Sequence, residues 1–147
     1  MTLPTFYFKY SKQKTRDPKT GEKGIIFVPK VPCRLWHGTK SRGDNAILDS
    51  GADSCVINMA TAKYLGLEMK EARPMRVVGN SEVKAYKANV DFVIDGGKHS
   101  DPITVEVMIP AEGDTPILIG RKPFFELYKI TFIEAELKFN MIPYKKG

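Results

Sequence analysis

Asp49 is the residue whose surroundings best equip it for chemistry. Ala46-Ile47-Leu48 reads as an apolar strand, Asp49-Ser50-Gly51 as a turn made of an acid, a hydroxyl and a residue without a Cβ, and Ala52-Asp53-Ser54-Cys55-Val56-Ile57 returns to apolar character. Packing gives no reason for an acid to emerge from an apolar strand into such a turn. Gly51 lets the backbone come close and present its N–H to the carboxylate, and Ser50 supplies a hydroxyl that can lock the loop. A carboxylate held by donors is tuned rather than merely solvated. A carboxylate presented this way could do general acid/base work. Taken alone, the tripeptide fits an Asx-type turn between two strands equally well.

Other reactive side chains are less well served. Cys33 and Cys55 show no CxxC pair and no Cys/His zinc spacing, and two cysteines are too few for a disulfide framework. Free thiols in a reducing, cytoplasmic compartment are expected. Cys55 has no nearby His and reads as a small core residue rather than a nucleophile. His37 and His99 stand in turn segments and read as exposed, and Trp36 reads as core or interface material. No metal and no organic cofactor is implied.

The elements that must position Asp49 are short and alternating. Thr5 to Tyr10 has the aromatic composition of a strand, and a polar stretch from Ser11 to Gly24 separates it from Ile25-Ile26-Phe27-Val28, which predicts a long-looped hairpin. Val31, Cys33 and Leu35 alternate with Pro32, Arg34 and Trp36, a half-buried strand whose prolines predict a sheet edge. Asn58 is placed to cap a short helix over 59–65, and Gly66 to end it in the left-handed conformation. Arg76-Val77-Val78 and the segment from Val83 to Ile94 flank Gly79-Asn80-Ser81-Glu82, a hairpin with a small tip. Ile103, Val105, Val107 and Ile109 form a further alternating strand. Ile117-Leu118-Ile119 is a short buried strand before Gly120, and Pro123 suits the first turn of a helix. In the tail, the parity of apolar residues switches near Phe132 to Glu134, which predicts a bulge or tight turn. Many short strands with few helices predict a mainly β domain, closed or sandwich-like.

The 147 residues suffice for one core without disulfides. The formal charge of +6 is uneven: residues 1–43 carry 10 basic and 2 acidic side chains, whereas the remainder carries 13 and 15. The surplus belongs to an N-terminal basic hairpin extension, residues 1–30, ahead of a domain over 31–147. It marks a solvated segment, so a nucleic-acid partner is not expected even though Phe6, Tyr7, Phe8 and Tyr10 could stack on bases; alternating aromatics in a strand more often face the core. No stretch approaches 18 apolar residues and the first ten residues lack the pattern of a leader, so no membrane partner and no secretion are expected.

Two motifs together carry a family resemblance. The stretch Ile47-Leu48-Asp49-Ser50-Gly51-Ala52-Asp53, followed by Val56-Ile57 and later by Ile117-Leu118-Ile119-Gly120-Arg121 ahead of Pro123-Phe124-Phe125, resembles the retropepsin-like aspartic proteases in order and spacing. The likeness spans about residues 31 to 142. It implies a closed acid-protease β-barrel with one or two short helices, working as a symmetric homodimer in which Asp49 of each copy meets across a two-fold axis. By the same resemblance Ser50, Gly51 and Ala52 support the active-site loop, Asp53 and Arg121 form an ion pair or touch the substrate backbone, Val78, Gly79, Asn80, Ser81 and Glu82 form a flap, and Ile117, Leu118, Ile119 and Gly120 pack beneath the loop. The implied partners are a second copy of the chain and a peptide or protein substrate. The implied activity is endopeptidase action, with a catalytically silent dimeric peptide-binding module as the alternative. The tail strand, Leu137 to Ile142, is the expected dimer seam.

Overall fold

The computed structural model describes residues 3–76 and 81–144. Within them the chain is mainly β. The N-terminal strands are β1 (Phe6–Lys9), β2 (Ser11–Arg16) and β3 (Lys23–Val28). Then come β4 (Lys30–His37), β5 (Lys40–Leu48) and β6 (Cys55–Val56), followed by helix α1 (Met59–Leu65). Short strands β7 (Lys70–Glu71), β8 (Met75–Arg76) and β9 (Glu82–Val83) lead to the long β10 (Ala85–Ile94) and β11 (Ile103–Pro110). The chain closes with β12 (Leu118–Ile119), the single-turn helix α2 (Phe124–Leu127), β13 (Tyr128–Ile133) and β14 (Lys138–Pro143).

Six strands close a barrel in the order β11, β6, β12, β5, β4, β10, with β10 pairing back onto β11. Period-two patterning explains why the barrel has an apolar inside: Ala88, Val90, Phe92 and Ile94 of β10, alternate residues of β11 from Ile103 to Ile109, and Val31, Cys33 and Leu35 of β4 are all buried. Register then fixes the contacts, setting Phe92 opposite Leu35 on one side and Ile103 on the other. Helix α2 closes the core through Phe124, whose ring meets Phe92 edge-on at 5.0 Å. Each such buried side chain contributes about 1.5–3 kcal/mol.

Helix α1 begins and ends as its sequence dictates. The Asn58 side chain accepts a hydrogen bond from the Thr61 N–H at 2.8 Å, and Gly66 takes the left-handed conformation at φ +68°. Asn58 also donates from Nδ2 to the Thr115 carbonyl at 3.2 Å, tying the helix start to the loop after β11. Asn58→Ala is therefore expected to lower stability by about 1–2 kcal/mol, seen as a lower urea midpoint. Asn58→Ser keeps a capping oxygen and loses the amide donor without setting a charge against the nearby Asp114, so it should recover part of the loss; equal losses in the two variants would contradict the capping assignment.

Several expectations about pairing are corrected. β1 does not pair with residues 25–28; it lies along β14, with Phe6 opposite Met141 and Phe8 opposite Phe139. Burial of aromatic surface decides this, since Phe6 is buried and Phe8 packs within 5.3 Å of the Phe139 ring. The polar stretch after Tyr10 is itself a strand: β2 pairs with β3, and the connection between them is built on Asp17, whose carboxylate accepts from the N–H groups of Lys19 and Thr20, and on Gly21 at φ +71°. β4 is not an edge strand, because β5 and β10 flank it. Pro32 is tolerated there since β10 ends at Ile94, opposite Cys33, and beyond it only the Pro32 carbonyl is used, by the Asp95 N–H. Trp36 is exposed rather than core. The parity switch in the tail does fall at a tight turn as expected, a 3-10 turn over Glu134–Glu136 followed by Leu137 at φ +51°.

β14 is the middle strand of a three-stranded sheet with β1 and β13 on either side. Both of its edges are therefore occupied within the chain. If the tail strand meets a second copy it does so through its face, while the open edges of this sheet belong to β1 and β13.

Candidate active site

Asp49 follows β5 directly. Its backbone N–H donates to the Ile119 carbonyl at 2.9 Å, and the Ile47 N–H donates to Ile117 at 2.8 Å, so β12 runs parallel to the strand that delivers the acid. On its other side β12 meets β6 at Leu118 and Val56. The turn from Asp49 to Ser54 thus bridges two strands with β12 threaded between them. This anchors both ends of the turn on one short apolar element, with Ile117 and Ile119 buried beneath it.

Within the turn, the Gly51 N–H donates to Asp49 Oδ1 at 3.0 Å and the Ala52 N–H to the Asp49 carbonyl at 3.2 Å. The first bond orients the carboxylate. Gly120 lies directly under the turn. A Cβ built there would stand 2.2 Å from the Ser54 carbonyl oxygen and 2.9 Å from that of Ala52, so only glycine permits the approach. Past it, the Arg121 N–H donates to the Ala52 carbonyl at 2.8 Å and the Lys122 N–H to that of Asp53 at 3.1 Å. The Arg121 guanidinium is ion-paired with the Asp53 carboxylate. Both side chains are largely in solvent, so the pair adds at most about 1 kcal/mol. Ser50 is exposed, and among the described residues its hydroxyl has no hydrogen-bond partner in the chain.

Asp49 opens on a cleft of about 830 Å³, a size suited to several side chains of a ligand. Gly51, Ala52, Asp53 and Leu118 line it together with Asp49, while Met75 and Arg76 of β8 form another wall. β8 pairs with β9 through Met75 opposite Val83 and Arg76 opposite Glu82. Ser81 and Glu82 are exposed at the start of the returning arm. Val78, Gly79 and Asn80, expected at the hairpin tip, lie outside the described residues.

Sequence reasoning missed the third wall, made by Met108, Pro110 and the loop Glu112-Gly113-Asp114-Thr115. One signal was available: Glu112-Gly113-Asp114 is a turn sequence between two apolar strands, and Gly113 takes φ +93°. What the sequence could not show is that the parallel pairing of β6 with β11 brings this loop beside the Asp49 turn.

The two thiols are not competitors. Burial pushes Cys55 up to about 11 and Cys33 up to about 12, leaving both protonated at neutral pH. His99 sits in solvent 3.1 Å from Asp95, far along the barrel in the β10–β11 connection. Among the described residues no three His, Cys, Asp or Glu side chains gather as a metal site.

Comparisons with known proteins converge on one family. A family model described as Aspartyl protease matches residues 32–122. Among solved structures, the chain resembles a retropepsin-like aspartic protease from Rickettsia conorii with a TM-score of 0.58 and 13% identity over 95% of this chain and 99% of that one. It also resembles the EIAV protease, solved in complex with the inhibitor HBY-793, with a TM-score of 0.53 and 19% identity over 68% of this chain and 88% of that one. At these identities the likeness is one of fold. No curated protein sequence gives a significant match.

Proposed function

This chain belongs to the aspartyl protease family, and from that premise we propose that two copies form a retropepsin-like endopeptidase whose catalytic pair is Asp49 and Asp49 of the second copy. The observation that carries the reading is the suspended turn: a carboxylate oriented by the Gly51 N–H, anchored to Ile119 and facing a cleft of about 830 Å³. Asp-Ser-Gly occurs once in the chain, so an equivalent acid must come from another copy. Ser50, exposed and without a hydroxyl partner among the described residues, is placed to bond across the two-fold axis and hold the two turns together.

In the assembled pair one proton is shared. The charged carboxylate removes a proton from the water as it attacks the scissile carbonyl carbon, and the protonated one donates to the carbonyl oxygen. Collapse of the tetrahedral intermediate returns the proton from that oxygen, breaks the C–N bond and protonates the leaving amine. Val78, Gly79, Asn80, Ser81 and Glu82 act as the cover that excludes water.

The test is incubation with an unfolded polypeptide between about pH 4 and 7, combined with measurement of mass in solution. Cleavage that a statine-type transition-state inhibitor stops, with a dimer that the inhibitor stabilises, is the expected result. A monomer indifferent to the inhibitor and inert toward polypeptide removes the active-site assignment. A stable dimer that binds peptides but cleaves none of a broad library identifies the silent binding module instead.

A further inference from the structure

The proposed chemistry makes no use of the β2–β3 hairpin. Among the described residues it stands as a two-stranded sheet, without a third strand on either edge. Its register sets Lys12 opposite Phe27, Lys14 opposite Ile25 and Arg16 opposite Lys23, so these six side chains share one face. All six are exposed, Ile25 to 54% and Phe27 to 42%. The face carries four cations and no acid. The hairpin's acids, Asp17 and Glu22, stand at its tip, where Asp17 is engaged by the Lys19 and Thr20 N–H groups. A lone two-stranded ribbon is marginal in water, and one that also exposes large apolar side chains is incomplete without a surface to lie on.

We propose that this face docks on an anionic lipid bilayer, with the cations against the headgroups and Ile25 and Phe27 in the boundary between headgroups and acyl chains. Charge complementarity selects a polyanion, and the apolar pair selects a bilayer over a nucleic acid. Phosphodiester backbones would take the cations but have no apolar phase for Ile25; of the β1 aromatics that might have stacked on bases, Phe6 is buried, Phe8 and Tyr10 pack against the core, and the exposed Tyr7 belongs to the strand paired with β14 rather than to this face. A bilayer accepts both kinds of group at once, the lysine stems lying along the surface while their ammonium groups reach phosphate. The apolar run from Ile25 to Val28 is far too short to span a membrane, so the attachment is peripheral and salt-sensitive. The sequence expectation of no membrane partner rested on the absence of a spanning segment; the amphipathic face exists only once register brings residues 12–16 beside residues 23–27.

The test is co-sedimentation of the full chain with vesicles of phosphatidylcholine alone or mixed with phosphatidylserine. Binding to the mixed vesicles, absent with the neutral ones and lost as salt rises, is expected. Replacing both Lys12→Ser and Lys14→Ser should weaken it about 25-fold, at roughly fivefold per cation. Phe27→Ser, which leaves the charge unchanged, should weaken it about tenfold. Circular dichroism of each variant should match the parent, since all three residues are exposed and none belongs to the core. Failure to sediment with the mixed vesicles overturns the proposal, as does Phe27→Ser binding as tightly as the parent. Tighter binding to a mixed-sequence oligonucleotide that strips the chain from vesicles overturns it in favour of a nucleic-acid surface.

Discussion

Asp49→Asn should reduce cleavage of an unfolded polypeptide by about 10³-fold or more, in the range expected when an acid/base pair loses its proton-accepting member. The substitution is nearly isosteric. An amide oxygen can still accept from the Gly51 N–H, and the bond from the residue's own N–H to Ile119 is untouched, so fold and assembly should survive. The loss then reports chemistry, visible in kcat with little change in KM. Mixing makes the prediction sharper. If each active unit needs Asp49 from both copies and subunits exchange freely, an equal mixture of parent and variant retains about a quarter of the activity of the same total amount of parent, because only parent–parent pairs work. Retention of half would mean that each chain acts alone, which removes the paired-acid model. An Asn variant as active as the parent removes the role of Asp49 altogether.

Gly120→Ala is expected to be the most damaging single methyl in the site. Its Cβ would fall 2.2 Å from the Ser54 carbonyl oxygen and 2.5 Å from the Ser54 carbonyl carbon, and these are backbone atoms that no rotamer change can move aside. Relief requires lifting the Asp49 turn off β12, which strains the bonds from Arg121 to Ala52 and from Lys122 to Asp53. Overpacking of this kind costs about 1–3 kcal/mol, with backbone contact placing this case at the upper end. Thermal unfolding should therefore fall by roughly 3–12 °C. Activity should drop further than stability alone explains, because the displaced turn carries the carboxylate. Gly97→Ala provides the contrast: nothing lies within 4 Å of its Cβ, and only its positive φ of 81° opposes a side chain. A Gly120→Ala protein that melts with the parent would show that the turn and β12 are not in contact as described.

Much of the local structure was legible because it depends on residues close in sequence. The alternation in β10 and β11, the Asn58 cap and the Gly66 stop are each written within one or two turns of chain, and each is present. Asp49-Ser50-Gly51 was legible as an acid in a constrained turn for the same reason. The errors have a common physical origin. Pairing β1 with residues 25–28 followed the nearest apolar partner, whereas the aromatic side chains of β1 bury more surface against Phe139 and Tyr128 at the other end of the chain. Reading Pro32 as an edge marker assumed a full-length neighbour, but β10 stops where the missing N–H would have been needed.

Residue types and their short-range order thus established that the chain is mainly β, that Asp49 stands in a tight Asp-Ser-Gly turn between apolar stretches, and that this tripeptide occurs once in the sequence. They did so because propensity, capping and turn chemistry act over a few residues. Folding in three dimensions decided that β12 threads between β5 and β6, that Gly120 lies under the Asp49 turn, that the loop at Glu112 to Thr115 becomes a wall of the cleft, and that lysines of β2 and apolar residues of β3 share one face. These arrangements are set by backbone pairing and apolar burial between segments far apart in the chain, where many partners satisfy the same local pattern and only the joint packing of the barrel selects one.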